Sequence, residues 1–254
     1  MQEDALVLDT VDHGESDLIV TFYGHRLGRH SAIAKGARKS KKRFVNKLEQ
    51  FTFLNITSTI KANRSLGFLV EAELYTSFPG LRRNPRLYII ASIVVEFLLL
   101  GTREAEPDPK IFRLSLWALH NIEHTPHPMA TLALFLIRYF GLLGYRPDLD
   151  NCGGCNEPFT NDATYRFDPA GGRIVCSNCR SDGHFVIPVA NGTIKALRAA
   201  QQLDLDRLQR VSLKGTILEQ SLTLARSFGY HIFQREAVSW KTLKNFESPK
   251  DNPL

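Results

Sequence analysis

The four cysteines of the chain fall as Cys152-x2-Cys155 and Cys176-x2-Cys179, with 20 residues between the pairs. Two thiolates separated by two residues on a tight turn can face one ion, and two such turns supply a tetrahedron of sulfurs. A closed shell of this kind leaves no position for water or substrate. The expectation is therefore one structural Zn²⁺ per chain, held by Cys152, Cys155, Cys176 and Cys179. Between the pairs, 164–167 and 173–175 read as short strands around Asp168-Pro-Ala-Gly-Gly, a turn that folds the segment back and brings the pairs together. Metal binding in such modules is worth an apparent ~10–16 kcal/mol near neutral pH, enough to replace a missing apolar interior. Two redox pairs, or buried free thiols, are the other readings of the same spacing. His184 is either a stand-in ligand or a surface residue.

The second group with chemical potential is KGARKSKKRFVNK, residues 35–47, which holds seven cations and no acid. The whole chain carries +6, so outside this run it is close to neutral and its basicity is local. Local positive charge calls for a polyanionic partner. Lys35, Arg38, Lys39, Lys41, Lys42, Arg43 and Lys47 are the expected nucleic-acid-binding residues, with Lys35 to Arg43 contacting phosphates. Engaging about six phosphates predicts a log–log salt slope of roughly −4 for single strands and −5 for duplex. Tyr23 and Phe44 read either as base-stacking rings or as core. A solvated loop and a targeting run are the plainer readings of the charge, but the run lies between apolar, strand-like stretches rather than on a terminal arm. Lys195, Arg198, Arg207, Arg210 and Lys214 form the reserve basic set.

The elements that must position these groups read as follows. Residues 5–12, 17–23, 29–35, 51–60 and 66–75 are extended and apolar, with a Gly24/Gly28 hairpin turn and a turn at Asn63-Arg64-Ser65. The apolar phase changes within 51–60, where Phe51 and Phe53 are odd but Leu54, Ile56 and Ile60 even, which predicts a bulge. Five bent strands in this length suit a closed OB-like barrel, because closure removes exposed edges. The basic run then connects strands three and four. Helices are predicted over 85–101, 109–122, 128–143, 193–203 and 215–233; the first three open on proline, and Asp108 is an N-cap. The fold class is α+β, with boundaries at 1–80 (barrel), 81–150 (helical, first part), 151–190 (zinc-ribbon-like module), 191–246 (helical, second part) and 247–254 (flexible tail).

Other classes are disfavoured. The composition, with 43% hydrophobic and 23% charged residues, is that of a folded chain. No apolar run reaches the ~18–20 residues a bilayer requires, and the acidic opening Met-Gln-Glu-Asp does not read as a secretory signal. A cytoplasmic protein with no membrane partner is expected, where cysteines serve as ligands or free thiols. The chain lacks a P-loop, a G-x-G-x-x-G opening a helix, and a G-x-S-x-G elbow. His13-Gly14-Glu15 matches the first deaminase element, but Asn151 and Val175 stand where the second requires proline. The expectation is no enzyme and no catalytic residue.

GESDLIVTFYGHRLGRHSAIAKGARKSKKRFVNKLEQF, residues 14–51, resembles the amino-terminal domain of the RecO family of bacterial recombination mediators, and LLGYRPDLDNCGGC, residues 142–155, resembles its junction between helical domain and zinc module. Gly14, Glu15, Asp17, Ala34 to Arg38, Leu48 and Phe51 carry the first match. The resemblance implies an OB-fold domain, a helical domain and a zinc-ribbon-like insert. It also implies binding to single- and double-stranded DNA, annealing of strands coated with single-strand-binding protein, and loading of RecA with the partner RecR, in a bacterial, nucleoid-associated setting. The acidic tail of single-strand-binding protein would dock on the helical domain, where Arg113 and Arg138 read either as cations for it or, more plainly, as solvated helix-surface arginines. An RNA-binding or transcription-associated protein, and a nuclease or glycosylase, are the competing readings.

Overall fold

The computed structural model describes residues 1–59, 66–160, 163–179 and 185–248 and divides into two compact units, Met1–Glu123 and His124–Leu254. The end of the fourth strand at Ile60, the turn at Asn63-Arg64-Ser65, His184 and the tail beyond Ser248 lie outside the described residues. Among those described, no helix is long and apolar enough to cross a membrane.

In the first unit β1 (Gln2–His13), β2 (Asp17–Gly24), β3 (Gly28–Ala34), β4 (Phe53–Ser58) and β5 (Leu66–Thr76) close into a barrel in the order β1-β2-β3-β5-β4. All pairings are antiparallel except β3 with β5, which is parallel and short, Ser31 to Ile33 against Leu66 to Phe68. This is the OB arrangement that the strand count predicts. Along β3 buried and half-buried residues alternate, the period of a strand with one face in the core. At the β2–β3 turn Gly28 takes φ 69°, and a Cβ there would stand 2.5 Å from the Glu106 carbonyl carbon, so no other residue fits without displacing backbone. The Glu3 carboxylate holds the same turn, accepting from the N–H groups of Arg26 at 2.9 Å and Leu27 at 3.1 Å.

The predicted change of phase has two sources. Phe51, ahead of β4, adopts φ 72°, and the β4–β5 register shifts between Phe53 and Leu54. A second shift between Thr57 and Ser58 leaves Val70 and Glu71 both outward, while Leu69 and Ala72 enter the core.

Three helices follow the barrel: α1 (Pro79–Arg83), α2 (Pro85–Gly101) and α3 (Pro109–His124). Asn84 caps α2, its side chain accepting from Arg86 and Leu87 N–H, and Asp108 caps α3 through Lys110 and Ile111 N–H. The Asp108 N–H in turn donates to the Tyr23 hydroxyl at 3.1 Å. Burial pushes that phenol up to about 12.

The second unit contains α4 (Pro128–Leu142), then β6 (Tyr165–Asp168), β7 (Arg173–Cys176) and β8 (Ile187–Val189), then α5 (Asn191–Gln202), α6 (Leu205–Leu208), α7 (Gly215–Phe233) and α8 (Val238–Glu247). The strands form a small sheet in the order β7-β6-β8. Phe228 of α7 joins sheet to helices: its ring meets Phe140 of α4 at 5.3 Å and Phe167 of β6 at 5.6 Å, both edge-on. Arg138 on α4 is half-buried and donates to the carbonyls of Ala200, Gln201 and Leu203, capping the end of α5. Arg138 thus fits neither of its two readings, a solvated surface arginine or a cation open to an acidic peptide. Arg113 on α3 is exposed.

Candidate nucleic-acid interface and metal site

The basic run leaves the barrel where β3 ends, and two contacts aim it. Gly36 adopts φ 66°, which turns the chain off the strand, and its N–H donates to Asp17 Oδ1 at 2.8 Å. The Arg38 N–H donates to the Ser16 carbonyl at 3.0 Å. A single turn of 3₁₀ helix, Ala37–Lys39, follows. Ala37, Phe44 and Leu48 then drop into the barrel core alongside Val7, Leu54 and Leu69, so the excursion is anchored at three points.

The seven cations divide into two kinds. Arg43 donates to the carbonyls of Lys35 at 3.1 Å and Val70 at 3.4 Å, and Lys47 donates to the Ala72 carbonyl at 2.7 Å. Val70 and Ala72 lie on β5 beyond its pairing with β3, so these two side chains bridge the seam where the strands part. Lys35 places Nζ 4.6 Å from the centre of the Phe68 ring. Arg38 forms a 3.3 Å ion pair with Asp12, both partners well exposed, a contact worth little and readily exchanged. Lys39, Lys41 and Lys42 are exposed, and no protein group holds their ammonium ions among the described residues. Tyr23 is fully buried and Phe44 only 4% exposed, which settles the two readings of these rings in favour of core.

Asp17 is the positioning residue that charge patterning did not single out. The Gly36 N–H, and after it the Ser16 hydroxyl, hold its carboxyl below the usual carboxylate range. A depressed folded value means that its contribution is complete above the ordinary aspartate value and is lost as pH falls through the lowered one. The expected result is that Asp17→Ala speeds hydrogen exchange at the Gly36 amide at neutral pH, and that in the unsubstituted protein the same amide loses protection only on acidification. Equal exchange in both proteins would remove Asp17 from this role.

In the second unit the hairpin of β6 and β7 pairs Tyr165 with Cys176 and Asp168 with Arg173. The first cysteine turn docks on it: Gly153 N–H donates to the Ile174 carbonyl at 2.8 Å, and Asp148 N–H to that of Gly172 at 2.7 Å. The four sulfurs consequently lie within 4.8 Å of one another. A tetrahedron with ligand bonds of ~2.3 Å has edges of about 3.8 Å, so a small contraction closes them on one ion. Burial raises the Cys152 thiol, but N–H groups of Cys155, Cys176 and Gly154 directed at its sulfur outweigh this and bring it down to about 6. Cys179 is pushed up to about 12, first by its hydrogen bond with Cys176 and then by burial. Four sulfurs this close become anionic together only when a cation neutralises them. Gly154 passes so near Cys179 that a Cβ would stand 2.6 Å from its Cβ. Arg166 fixes the second turn by donating to the carbonyls of Cys176, Ser177 and Cys179 at 3.0–3.4 Å. The four cysteines can hold a metal ion, and the donor set is that of a structural site.

Comparison with known proteins agrees with this layout. The model for the amino-terminal part of recombination protein O matches residues 1–78, and that for its carboxy-terminal part matches 82–234. The chain belongs to the RecO family. Among RecO-family relatives, the "DNA repair protein RecO" of Syntrophus aciditrophicus is 32% identical over 246 residues, covering 96% of this chain and 95% of its own. The protein of that name from Thermodesulfovibrio yellowstonii is 30% identical over 249 residues (95% and 96% covered), and that from Desulfatibacillum aliphaticivorans 31% identical over 252 residues (95% of each). The RecO-family models meet between residues 78 and 82, just after β5 ends at Thr76.

Proposed function

We propose that this chain is a DNA-binding recombination mediator, acting in DNA repair without catalysis of its own. It would bind single- and double-stranded DNA, anneal complementary single strands, and help load RecA onto DNA coated with single-strand-binding protein, in company with RecR and in the bacterial cytoplasm at the nucleoid. The observation that carries the reading is the trio Lys39, Lys41 and Lys42, exposed and unpaired among the described residues, on an excursion anchored to an OB barrel in a RecO-family chain. Ammonium groups on phosphates ignore base identity, and that suits annealing, where two different strands are held close and their repulsion is reduced. Lys35, Arg38, Arg43 and Lys47 add positive potential while also serving the barrel. The division at 1–80, 81–150, 151–190, 191–246 and 247–254 is proposed as the functional one.

The metal is proposed to be Zn²⁺, one per chain, with a structural role: four thiolates and no open position fit it, and an iron–sulfur cluster would announce itself by colour. The deciding experiment for the function is annealing of complementary strands precoated with single-strand-binding protein. Acceleration by the protein is expected. Binding without acceleration would reduce it to a plain DNA binder, and strand scission or base release would move it to the enzymes.

A further inference from the structure

The outside of the barrel carries an apolar row that crosses four strands in register. Val11 of β1 pairs with Ile19 of β2, Ile19 with Ile33 of β3, and Ile33 with Phe68 of β5. Their strand neighbours Val20, Ala32, Ala34 and Leu69 point into the core, so the row points out. Val11 is 55% and Phe68 43% exposed, and Val70, the next outward residue on β5, 42%. With strands ~4.8 Å apart, the row spans about 14 Å. Single exposed apolar residues need no explanation, but a contiguous row does.

Its borders differ in charge. Lys35 follows Ile33 by two positions, shares its face and lies over the Phe68 ring. Arg38 joins Asp12, the residue after Val11, and the excursion with its free lysines starts there. Along β5 beyond Val70 stand exposed Glu71 and Glu73. Arg43 and Lys47, bound to the Val70 and Ala72 carbonyls, stand among these acids, so a polyanion is drawn to the border with the exposed lysines and finds mixed charge at the other. A protein partner would engage roughly 20–30 residues a side, far more than one row with a charged rim offers.

We infer that this row, centred on Phe68, is a stacking platform for the unpaired bases of a single strand whose phosphates rest on Lys39, Lys41 and Lys42; the inference builds on the phosphate contacts proposed above. Every base has a π-face, so stacking adds affinity without reading sequence. An exposed cation–π contact is weaker than base–aromatic stacking, so an arriving base displaces the Lys35 ammonium from the ring, and Lys35 moves to the phosphate of the same nucleotide. Duplex DNA, its bases already stacked, gains nothing from the row.

The test compares a labelled oligo-thymidylate with an abasic strand of equal length by fluorescence anisotropy. Phe68→Ala is expected to weaken binding of the thymidylate about tenfold and leave the abasic strand unchanged. Phe68→Trp is expected to keep thymidylate affinity, with its added emission quenched by thymidylate and not by the abasic strand. Replacing the three lysines by alanine is expected to weaken both strands. Unchanged thymidylate binding by Phe68→Ala, or equal weakening of both strands, overturns the platform, as does a Phe68-dependent self-association in sedimentation. Should the lysine variant bind both strands normally, the phosphate contacts fail instead, and the Phe68 comparison still decides the platform by itself.

Discussion

Replacing Lys39, Lys41 and Lys42 together by alanine is expected to cut single-strand affinity about 100-fold at 0.1 M salt while the melting temperature stays the same. The magnitude follows from counterion release. Each phosphate contact on a single strand contributes ~0.7 to the log–log salt slope, so three contacts make it shallower by about 2. With affinity at 1 M salt unchanged, that difference is two decades at 0.1 M. Stability is spared because the three ammonium groups project from the excursion with no partner among the described residues, whereas Phe44 and Leu48, which anchor it, are untouched. Arg43 and Lys47 do not belong in the variant. They donate to carbonyls on β5, and for the part-buried carbonyl of Ala72 losing Lys47 costs about 1–3 kcal/mol, which would confuse lost binding with lost fold. The measurement is a titration at several salt concentrations with a parallel thermal melt. An unchanged slope would transfer the phosphate contacts to other cations, with Lys195, Arg198, Arg207, Arg210 and Lys214 the next set to replace.

What was legible in the sequence, and what was not, divides by the range of the interaction. The cysteine spacing, the glycine hairpin and the prolines that open α2, α3 and α4 are local chemistry, and each element stands where its residues place it. Even the change of phase around Phe53 pointed to a real irregularity. The contacts that position the basic run are long-range. Asp17 meets Gly36 only because β2 and β3 pair, and Arg43 reaches Val70 only because β3 and β5 separate. A ring in a cationic run looks the same on paper whether it faces solvent or core, so Phe44 stayed ambiguous until the barrel supplied its neighbours. The row from Val11 to Phe68 could not be seen either, since its four residues come from four strands and only register unites them. Short elements escaped for another reason. β8 covers just Ile187–Val189, too brief for any periodicity, and exists because β6 offers it an edge. Arg166 gave no signal because its role is to hold three carbonyls that the second cysteine turn presents only once folded.

Removing the metal is expected to be the most disruptive single change to the second unit. Titration with a thiol reagent that also releases bound metal should free one Zn²⁺ per chain for four thiols modified, and a strong chelator should lower the unit's melting temperature. The sheet β7-β6-β8 is too small to be stable without support, since two or three short strands need a packed face. Its packing onto the helices runs through Phe167 and Phe228, and the cysteine turns hold the hairpin in the position where those rings meet. Cys176→Ser removes one ligand, and with the ion held less tightly the remaining sulfurs take up protons and no longer draw the two turns together, so it should reproduce the chelated state. Arg166→Ala offers a graded version: with the second turn no longer held, metal affinity should fall about 10–100-fold while stoichiometry is kept. Affinity should also decline on acidification in every variant, because protons compete for the sulfurs. The DNA binding proposed for the first unit provides the internal control. If Lys39, Lys41 and Lys42 carry the phosphates, the chelated protein should still bind single strands with the same salt slope, and a slope that collapses with the metal would place phosphate contacts on the cysteine module instead.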